Sequence, residues 1–156
     1  MSLTPTQLQA LKTDIVADPI LNAMPLGEQG ASDIAGAYNL QADPIFWVWR
    51  TDIPISEIKQ KINWVEYIAT SIGKKQAFEL MISDGVIDAS SSNVQQGFQD
   101  IFTGTTLINF ILMAKRLALR GEVLLAIGTG TLGSPGTLTV EGTLGFRDVR
   151  MARNLP

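Results

Sequence analysis

The segment that comes closest to a chemical motif is Gly128 to Gly133, whose glycines match the G-x-G-x-x-G pattern of dinucleotide-binding folds. Asp148 follows about twenty residues later, where those folds carry an acidic residue for the ribose. A glycine loop of this kind binds phosphate where it opens a helix, because the helix N-terminus supplies the donors. Here Ser134-Pro135-Gly136 follows, and the preceding segment has a helical pattern. We therefore predict a turn or hairpin loop at this position and no nucleotide site.

The titratable residues offer no other constellation for catalysis. The chain has neither cysteine nor histidine, which excludes disulfides, thiol nucleophiles and histidine-based triads and removes the usual zinc ligands. Two aspartate pairs, Asp14 with Asp18 and Asp84 with Asp88, lack the ligand density of a calcium loop. No two glutamates are spaced as an acid and a base. We predict that the protein is not an enzyme and binds no metal and no cofactor.

An aromatic stretch is a better candidate for binding. Phe46, Trp47 and Trp49 lie in the most aromatic part of the chain. An extended conformation would put both tryptophans on one face, although a helical turn in the core also fits this stretch. Tryptophans among branched apolar residues more often anchor a core or an interface than stack on bases or sugars. We predict that these residues pack in the core or at a subunit boundary.

Arginines recur in two places. Arg116 and Arg120 are four residues apart, and Arg147, Arg150 and Arg153 recur at intervals of three, so each set would share one face of a helix. Such rows can bind phosphate, an acidic partner surface or a neighbouring subunit. Scattered, solvated arginines are an equally good interpretation.

The element that must position these residues is a long apolar segment followed by a glycine-punctuated hairpin. No proline interrupts residues 105–127, and most positions there are apolar, which predicts one long central helix buried in a core or against other subunits. Leu138 to Glu141, which includes Val140, is the clearest strand signal and predicts a β-hairpin over 128–143. Residues 144–156 suggest a short terminal helix or extension.

Capping residues and apolar spacing predict shorter helices upstream. Thr4-Pro5-Thr6-Gln7 begins the first helix with a capping box, and Asp18-Pro19 ends it. The fold class that follows is mainly α, a small helical bundle around the central helix. We predict a single domain of three parts, which are helical residues 1–127, the hairpin 128–143 and the tail 144–156.

Length and composition agree with a globular protein. The chain has 156 residues, 46% of them hydrophobic and 17% charged. Its net charge of −3 argues against a dedicated nucleic-acid binder. Residues 1–60 carry three Lys/Arg and seven Asp/Glu, whereas 111–156 carry six and three, which suits subunits that meet head to tail as well as ordinary solvated surfaces. Without a signal peptide or a membrane span, we expect a soluble protein made in the cytoplasm.

Four segments taken together resemble a family of small virion proteins of tailed bacteriophages. They are L-T-P-T-Q-L-Q-A-L-K-T-D-I with the following A-D-P, the block D-P-I-F-W-V-W-R-T, the run R-L-A-L-R-G-E-V-L-L-A-I-G-T-G-T-L-G-S-P-G-T-L-T-V-E-G-T-L, and the closing A-R-N. The resemblance covers about half of the chain, and residues 67–105 carry little of it. Proteins of this type look like components of the phage neck, and the assignment we favour is the head-to-tail adaptor.

The resemblance implies a structural protein that works by assembly. Adaptors are typically small α-helical proteins that form a ring of about twelve copies beneath the portal protein, with a hairpin or C-terminal extension that docks on the portal. The protein would lie in the virion neck, between the portal and the next neck or tail protein, and DNA would pass through the lumen without specific binding. The residues then expected at subunit or portal interfaces are Phe46, Trp47, Trp49, Arg116, Arg120, Leu138, Val140, Arg147, Arg150 and Arg153.

Other functions stay open at this point. The protein could be another virion component, such as a stopper, a tail terminator or a capsid-decorating protein. It could also be a DNA-binding packaging accessory protein that uses the helix carrying Arg116 and Arg120. A decorating protein should bind assembled capsid, and a DNA-binding protein should show a salt-dependent shift with DNA.

Overall fold

The computed structural model describes residues 3–156. Over this range the protein is mainly α-helical with a small late hairpin, so the predicted fold class is confirmed. The chain divides into two compact units, which are Met1–Val48 with Leu117–Pro156 (the terminal unit) and Trp49–Arg116 (the central unit). This division differs from the predicted single domain with parts at 1–127, 128–143 and 144–156, because the unit boundaries fall after Val48 and after Arg116.

The helices and strands are short. In chain order the described elements are α1 (Pro5–Ala17), α2 (Pro19–Asn22), α3 (Glu28–Tyr38), β1 (Trp47–Trp49), β2 (Ile53–Pro54), α4 (Ile55–Lys61), α5 (Trp64–Ala69), α6 (Ile72–Met81), β3 (Val86–Ile87), α7 (Ser92–Ile101), α8 (Thr105–Met113), β4 (Lys115–Leu117), α9 (Arg120–Val123), β5 (Ala126–Ile127), β6 (Thr137–Leu138) and α10 (Phe146–Arg153). The strands pair in three two-stranded sheets, β1 with β4, β2 with β3 and β5 with β6.

The start of α1 is the predicted capping box. The Thr4 hydroxyl accepts a hydrogen bond from the Gln7 N–H at 3.3 Å, and the Gln7 side chain accepts one from the Thr4 N–H at 2.8 Å. Pro5 occupies the first helical position, where its missing N–H costs nothing. The helix ends at Asp18, whose carboxylate caps α2 by accepting from the N–H groups of Ile20 and Leu21.

The core of the terminal unit joins α1, α3 and α10, although more than a hundred residues separate α3 from α10. Val149 and Ala152 of α10 are fully buried against this core. Asn39 also ties the segment before α10 to the end of α3, because its side-chain amide exchanges two hydrogen bonds with the backbone of Leu144. Residues 144–156 are therefore part of the folded core. Of the two alternatives that the sequence left open, the short terminal helix is present as α10, and the extension is wrong.

The long helix predicted over 105–127 is also wrong, because α8 ends at Met113. Beyond it the backbone forms hydrogen bonds with residues 40–50. Arg50 donates to the Ala114 carbonyl at 2.9 Å, Ala118 donates to the Phe46 carbonyl at 2.8 Å, and Arg120 donates to the Leu40 carbonyl at 2.9 Å. This pairing with a distant segment outweighs the local helical preference of residues 114–119.

The central unit is built around an aromatic cluster. Phe98 of α7 and Phe110 of α8 stack in parallel with their ring centroids 3.6 Å apart. Phe78 of α6 packs edge-on against Phe98 and Phe102. Between α6 and α7 the chain forms β3, which pairs antiparallel with β2 and buries Ile87.

The predicted late hairpin is present in the terminal unit, but its strands lie at Ala126–Ile127 and Thr137–Leu138, so it begins before the predicted range 128–143 and its second strand ends before Glu141. Ala126 and Ile127 pair antiparallel with Leu138 and Thr137, respectively. Gly128 to Gly136 forms the loop of this hairpin and opens no helix, so the glycine motif is a turn, as the sequence predicted.

Candidate interaction surfaces

The hairpin loop closes around Phe46. A Cβ added to Gly130 would overlap the Phe46 ring, and one added to Gly136 would lie 2.6 Å from its Cε1 atom. The backbone completes the contact, since the Trp47 N–H donates to the Gly130 carbonyl at 2.6 Å and the Gly136 N–H donates to the Trp47 carbonyl at 2.8 Å. We call this arrangement the glycine clasp. It explains the glycines by close packing on an aromatic ring, and it fixes Phe46 and Trp47 within the terminal unit.

Trp49 lies in the central unit and lines a cleft of about 110 Å³, here called the Trp49 cleft. The extended conformation of β1 places Val48 on the opposite, fully buried side. The walls of the cleft are Trp49, Leu107, Phe110 and Ile111, with the side chains of Gln95 and Gln99 as its polar edge. The ammonium group of Lys115 lies 5.3 Å from the centroid of the Trp49 ring. The cleft is therefore mostly aromatic and aliphatic, with amides at one side.

Arg120 belongs to a polar cluster inside the terminal unit, together with Asp14, Asp18 and Tyr38. Its guanidinium donates to Asp18 at 2.9 Å and lies 4.9 Å from the centroid of the Tyr38 ring, while the Tyr38 hydroxyl donates to Asp14 at 2.5 Å. The hydrogen bond from Arg120 is the main reason why the pKa of Asp18 lies below its ordinary value. Burial, reinforced by Asp14, raises the pKa of Tyr38. The predicted binding residue Arg120 thus has partners in its own unit.

Arg116 lies in β4 and is partly buried. Because the predicted helix ends at Met113, Arg116 and Arg120 do not share a helical face. The charge of Arg116 acts on Arg50, which forms a two-pronged ion pair with Glu57 at 2.7 and 2.9 Å. The hydrogen bond from Arg50 lowers the pKa of Glu57.

The predicted hairpin residues Leu138 and Val140 are both partly buried. Leu138 lies in β6 opposite Ala126, and Val140 packs against the core of the terminal unit. Both side chains keep part of their surface exposed, so a role at an interface stays a prediction.

The three arginines of α10 differ in their surroundings. Arg153 donates to the backbone carbonyls of Met24 and Pro25 at 2.9 and 3.0 Å. Arg150 approaches Glu28 at 3.4 Å, with both side chains more than half exposed. Arg147 is exposed and lies over the ring of Phe146. The predicted basic row exists on α10, and its last member stabilises a loop of the same unit.

Glu66 is a partly buried carboxylate whose role the sequence did not suggest. Its carboxylate accepts hydrogen bonds from the N–H groups of Gly104, Thr103 and Thr106 at 2.8, 3.2 and 2.9 Å, at the start of α8. Burial opposes the charge of Glu66, but these donors outweigh it and lower its pKa. The negative charge also suits a helix N-terminus. Glu66 therefore joins α5 to α8 within the central unit.

Several large apolar side chains lie on the surface, where they contribute little to the packing of either core. On α8, Ile108, Ile111 and Leu112 are 60%, 36% and 64% exposed, and their spacing of three and four residues puts them on one face. The face of α5 that carries Trp64, Val65 and Ile68 is exposed as well. Contiguous apolar surface of this kind commonly marks a place where another protein binds.

The most exposed large apolar side chain in residues 3–156 is Leu26, at 85%. Its loop, residues 24–27 (the Leu26 loop), is fixed on both sides. Arg153 binds the carbonyls of Met24 and Pro25, and the helix α3 packs so closely on Pro25 that a Cβ on Gly30 would overlap the Pro25 carbonyl. A leucine is thus presented to solvent by a well-fixed backbone.

Comparison with protein families, curated proteins and solved structures finds no match to the chain. Within the part of the chain that the structure describes, no group of three or more Asp, Glu, His or Cys residues is placed to hold a metal ion. No helix of residues 3–156 combines the length and the apolar character that crossing a lipid bilayer requires. The features that remain to be explained are the exposed apolar faces, the Trp49 cleft and the Leu26 loop.

Proposed function

We propose that the protein is an assembly protein, which functions by binding further copies of itself and neighbouring proteins. The observation that carries this proposal is the apolar surface of α8. The exposed fractions of Ile108, Ile111 and Leu112 add up to the surface of roughly 1.6 complete side chains. Burying this surface against a partner would contribute about 2–5 kcal/mol to the free energy of binding, at the usual value for a branched apolar side chain. A helix that exposes this much apolar surface gains stability from a protein partner.

Within this class, the proposed role is that of a head-to-tail adaptor of a tailed bacteriophage. The protein would be made in the bacterial cytoplasm and would form a ring of about twelve copies beneath the portal, joining the capsid to the next neck or tail protein. The four sequence segments that resemble phage neck proteins support this role. The net charge of −3 suits a lumen through which DNA passes without specific binding.

The interface residues predicted from the sequence divide into two groups under this proposal. Phe46, Trp47, Arg120 and Arg153 would act indirectly, by fixing the surfaces of their unit, since the contacts described above for them lie within it. The other six residues are proposed to contact neighbouring proteins directly through the surface that they keep exposed. They are Trp49, Arg116, Leu138, Val140, Arg147 and Arg150.

The test is mass photometry of the pure protein, alone and mixed with the portal protein of the same phage. We expect a complex that contains the portal and about twelve copies of this chain. A free ring that ignores the portal would point to a stopper or tail-terminator role, and binding to assembled capsid alone would point to decoration. A persistent monomer that binds neither would refute a virion role, and a salt-dependent shift of DNA would favour the packaging accessory protein.

A matched pair of variants tests the apolar surface itself. Ile108→Asp with Leu112→Asp adds two charges to the exposed face of α8 and should abolish assembly. Ser92→Asp with Asn93→Asp adds the same charge at two exposed positions in the first turn of α7, where it suits the helix dipole. This control should assemble normally. Equal assembly of the two variants would exclude the α8 face as a contact.

A further inference from the structure

The helix α10 carries most of the positive charge of the terminal unit, since three of the unit's five Lys/Arg residues lie on it. We propose that α10 and the Leu26 loop together bind an acidic segment of a partner protein, and that this segment also carries an apolar side chain. The inference rests on the proposed function in that the protein works by binding neighbouring proteins. It adds the chemistry by which one such neighbour is recognised.

Two adjoining cavities form the site, which we call the α10 groove. One, of about 360 Å³, lies between the Leu26 loop, the start of α3 and α10, and the other, of about 300 Å³, lies along α10. Arg150 and Asn154 line both cavities. Arg147 and Arg153 are separated by roughly 9 Å along the helix axis, at 1.5 Å per residue, which is the length of about three residues of an extended chain. The groove is therefore long enough for a peptide segment.

The charge of the α10 groove is net positive. Its lining includes three guanidinium groups and one carboxylate, that of Glu28. Glu28 lies 3.4 Å from Arg150, and both side chains are more than half exposed, so this pair is weak and can rearrange around an entering carboxylate. Arg153 donates to neutral carbonyls of the Leu26 loop and keeps its charge. Asp148, the acidic residue of α10, is buried and accepts from the Gly145 N–H. An anionic partner is therefore favoured.

The surroundings of the groove favour an acidic protein segment over a nucleic acid. Outside α10 the terminal unit carries two Lys/Arg and seven Asp/Glu, so a long phosphate backbone that continued past the groove would be repelled. Leu26 lines one cavity and is 85% exposed, and Met151 lines the other and is 47% exposed. These side chains gain by covering an apolar group, which a sugar-phosphate backbone lacks. A short acidic segment with one apolar side chain meets both conditions.

The polar groups of the groove suit such a segment as well. Guanidinium groups bind carboxylates through paired N–H donors, and Arg147 and Arg150 can do so without disturbing the contacts of Arg153. The exposed side-chain amide of Asn154 can donate to and accept from the backbone of the bound segment. The Leu26 loop is already fixed by Arg153 and by the packing of α3, so binding costs little conformational entropy there.

Selection from a random peptide library on the immobilised protein tests the recognition without a known partner. We expect the bound peptides to be enriched in Asp and Glu, with a large apolar residue close to them. Arg147→Gln with Arg150→Gln removes two positive charges from the groove and should abolish the enrichment in acidic residues. Lys59→Gln with Lys74→Gln removes the same charge from two exposed positions of the central unit and should leave the enrichment unchanged.

The affinity of one selected peptide, measured by fluorescence anisotropy, separates the two parts of the site. The arginine variant should bind it about 2- to 30-fold more weakly, the loss that corresponds to two exposed ion pairs. Leu26→Ala should also weaken binding, and in a repeated selection it should remove the preference for an apolar residue and keep that for acidic ones. Leu40→Ala makes the same substitution at another exposed leucine of the terminal unit and should change neither.

Three results would overturn the inference. They are bound peptides without an excess of acidic residues, equal peptide binding by the arginine and lysine variants, and displacement of the peptide by a mixed-sequence oligonucleotide as effectively as by the peptide itself. Self-association of the pure protein that only the arginine variant loses would assign the groove to a second copy, which also overturns it. All of these leave the proposed function intact. A protein that selects acidic peptides but assembles neither with itself nor with the portal would keep this inference and refute the proposed function.

Discussion

Replacing Gly130 with alanine should destabilise the terminal unit by about 2–5 kcal/mol, from two separate causes. Gly130 has a φ of +65°, a conformation that costs other residues about 1–2 kcal/mol. The added Cβ would also overlap the ring of Phe46, and forcing a methyl group into a packed contact costs about 1–3 kcal/mol. The hydrogen bond between Trp47 and the Gly130 carbonyl is then strained as well.

Gly133 is the matched control, because it lies in the same hairpin loop. Its φ is not positive, and a Cβ there meets no atom within 4 Å. Gly133→Ala should be neutral or should stabilise by up to about 1 kcal/mol, since alanine restricts the unfolded chain. Urea unfolding followed by circular dichroism and tryptophan fluorescence measures the free energy of unfolding of each variant.

A double-mutant cycle separates the two causes. In the Phe46→Ala background the ring is absent, so Gly130→Ala should cost only the backbone term of about 1–2 kcal/mol. The coupling between the two substitutions should then be about 1–3 kcal/mol, the size of the overlap. Free energies of unfolding for Gly130→Ala and Gly133→Ala that agree within about 0.5 kcal/mol would refute the clasp, because this is the scatter of ordinary surface substitutions.

Three further predictions concern the core, the pH dependence and the start of α8. Deleting residues 144–156 should abolish the cooperative unfolding of the terminal unit, since Val149 is fully buried; an unchanged melting transition would contradict this. The pKa of Asp18 is lowered by Arg120, so Asp18 stabilises the fold above its unfolded pKa. This contribution to the free energy of unfolding is lost as the pH falls through the folded pKa of Asp18. In Asp18→Asn the free energy of unfolding should therefore fall less between neutral and acid pH than it does in the unmodified protein. Glu66→Gln should cost about 1–2 kcal/mol in urea unfolding, because charge-assisted hydrogen bonds are replaced by neutral ones, whereas the exposed Glu79→Gln should cost much less.

Local signals in the sequence predicted local structure well. Thr4 and Gln7 begin α1 with a capping box, as their spacing indicates, and Pro19 follows directly after the end of α1. These interactions connect residues only three apart, so the sequence contains all the information they need. The mainly α fold and the late hairpin followed from such signals.

The failures have a common physical cause, which is pairing between distant parts of the chain. Residues 114–119 read as helix, yet their backbone is bound by residues 40–50. The sequence of 144–156 leaves a terminal helix and an extension equally open, although Val149 and Ala152 are spaced for one buried helical face. That apolar pair was the available signal for a docked helix.

The candidate surfaces were only partly predictable for a related reason. Val65 of α5 and Leu80 of α6 are apolar residues on helices, and both lie on the surface at 80% and 76% exposure. An apolar residue indicates that something covers it, and the sequence does not say whether its own chain or another one does. The exposure of Leu26 gave no signal in the sequence, because a single leucine between a proline and a glycine resembles any turn.

The pinning of the Leu26 loop by Arg153 has a consequence for biosynthesis. Arg153 is 129 residues beyond Met24 in the chain, and a ribosome that adds about 5–20 residues per second needs roughly 6–26 s to cover that distance. Until then the loop lacks the guanidinium that holds its carbonyls, and α1 and α3 lack the helix that completes their core. The central unit, which is continuous in sequence, can fold during this interval. A chain that terminates before Arg153 would therefore keep an unfixed Leu26 loop, because nothing else in residues 3–156 donates to the Met24 and Pro25 carbonyls in the same way.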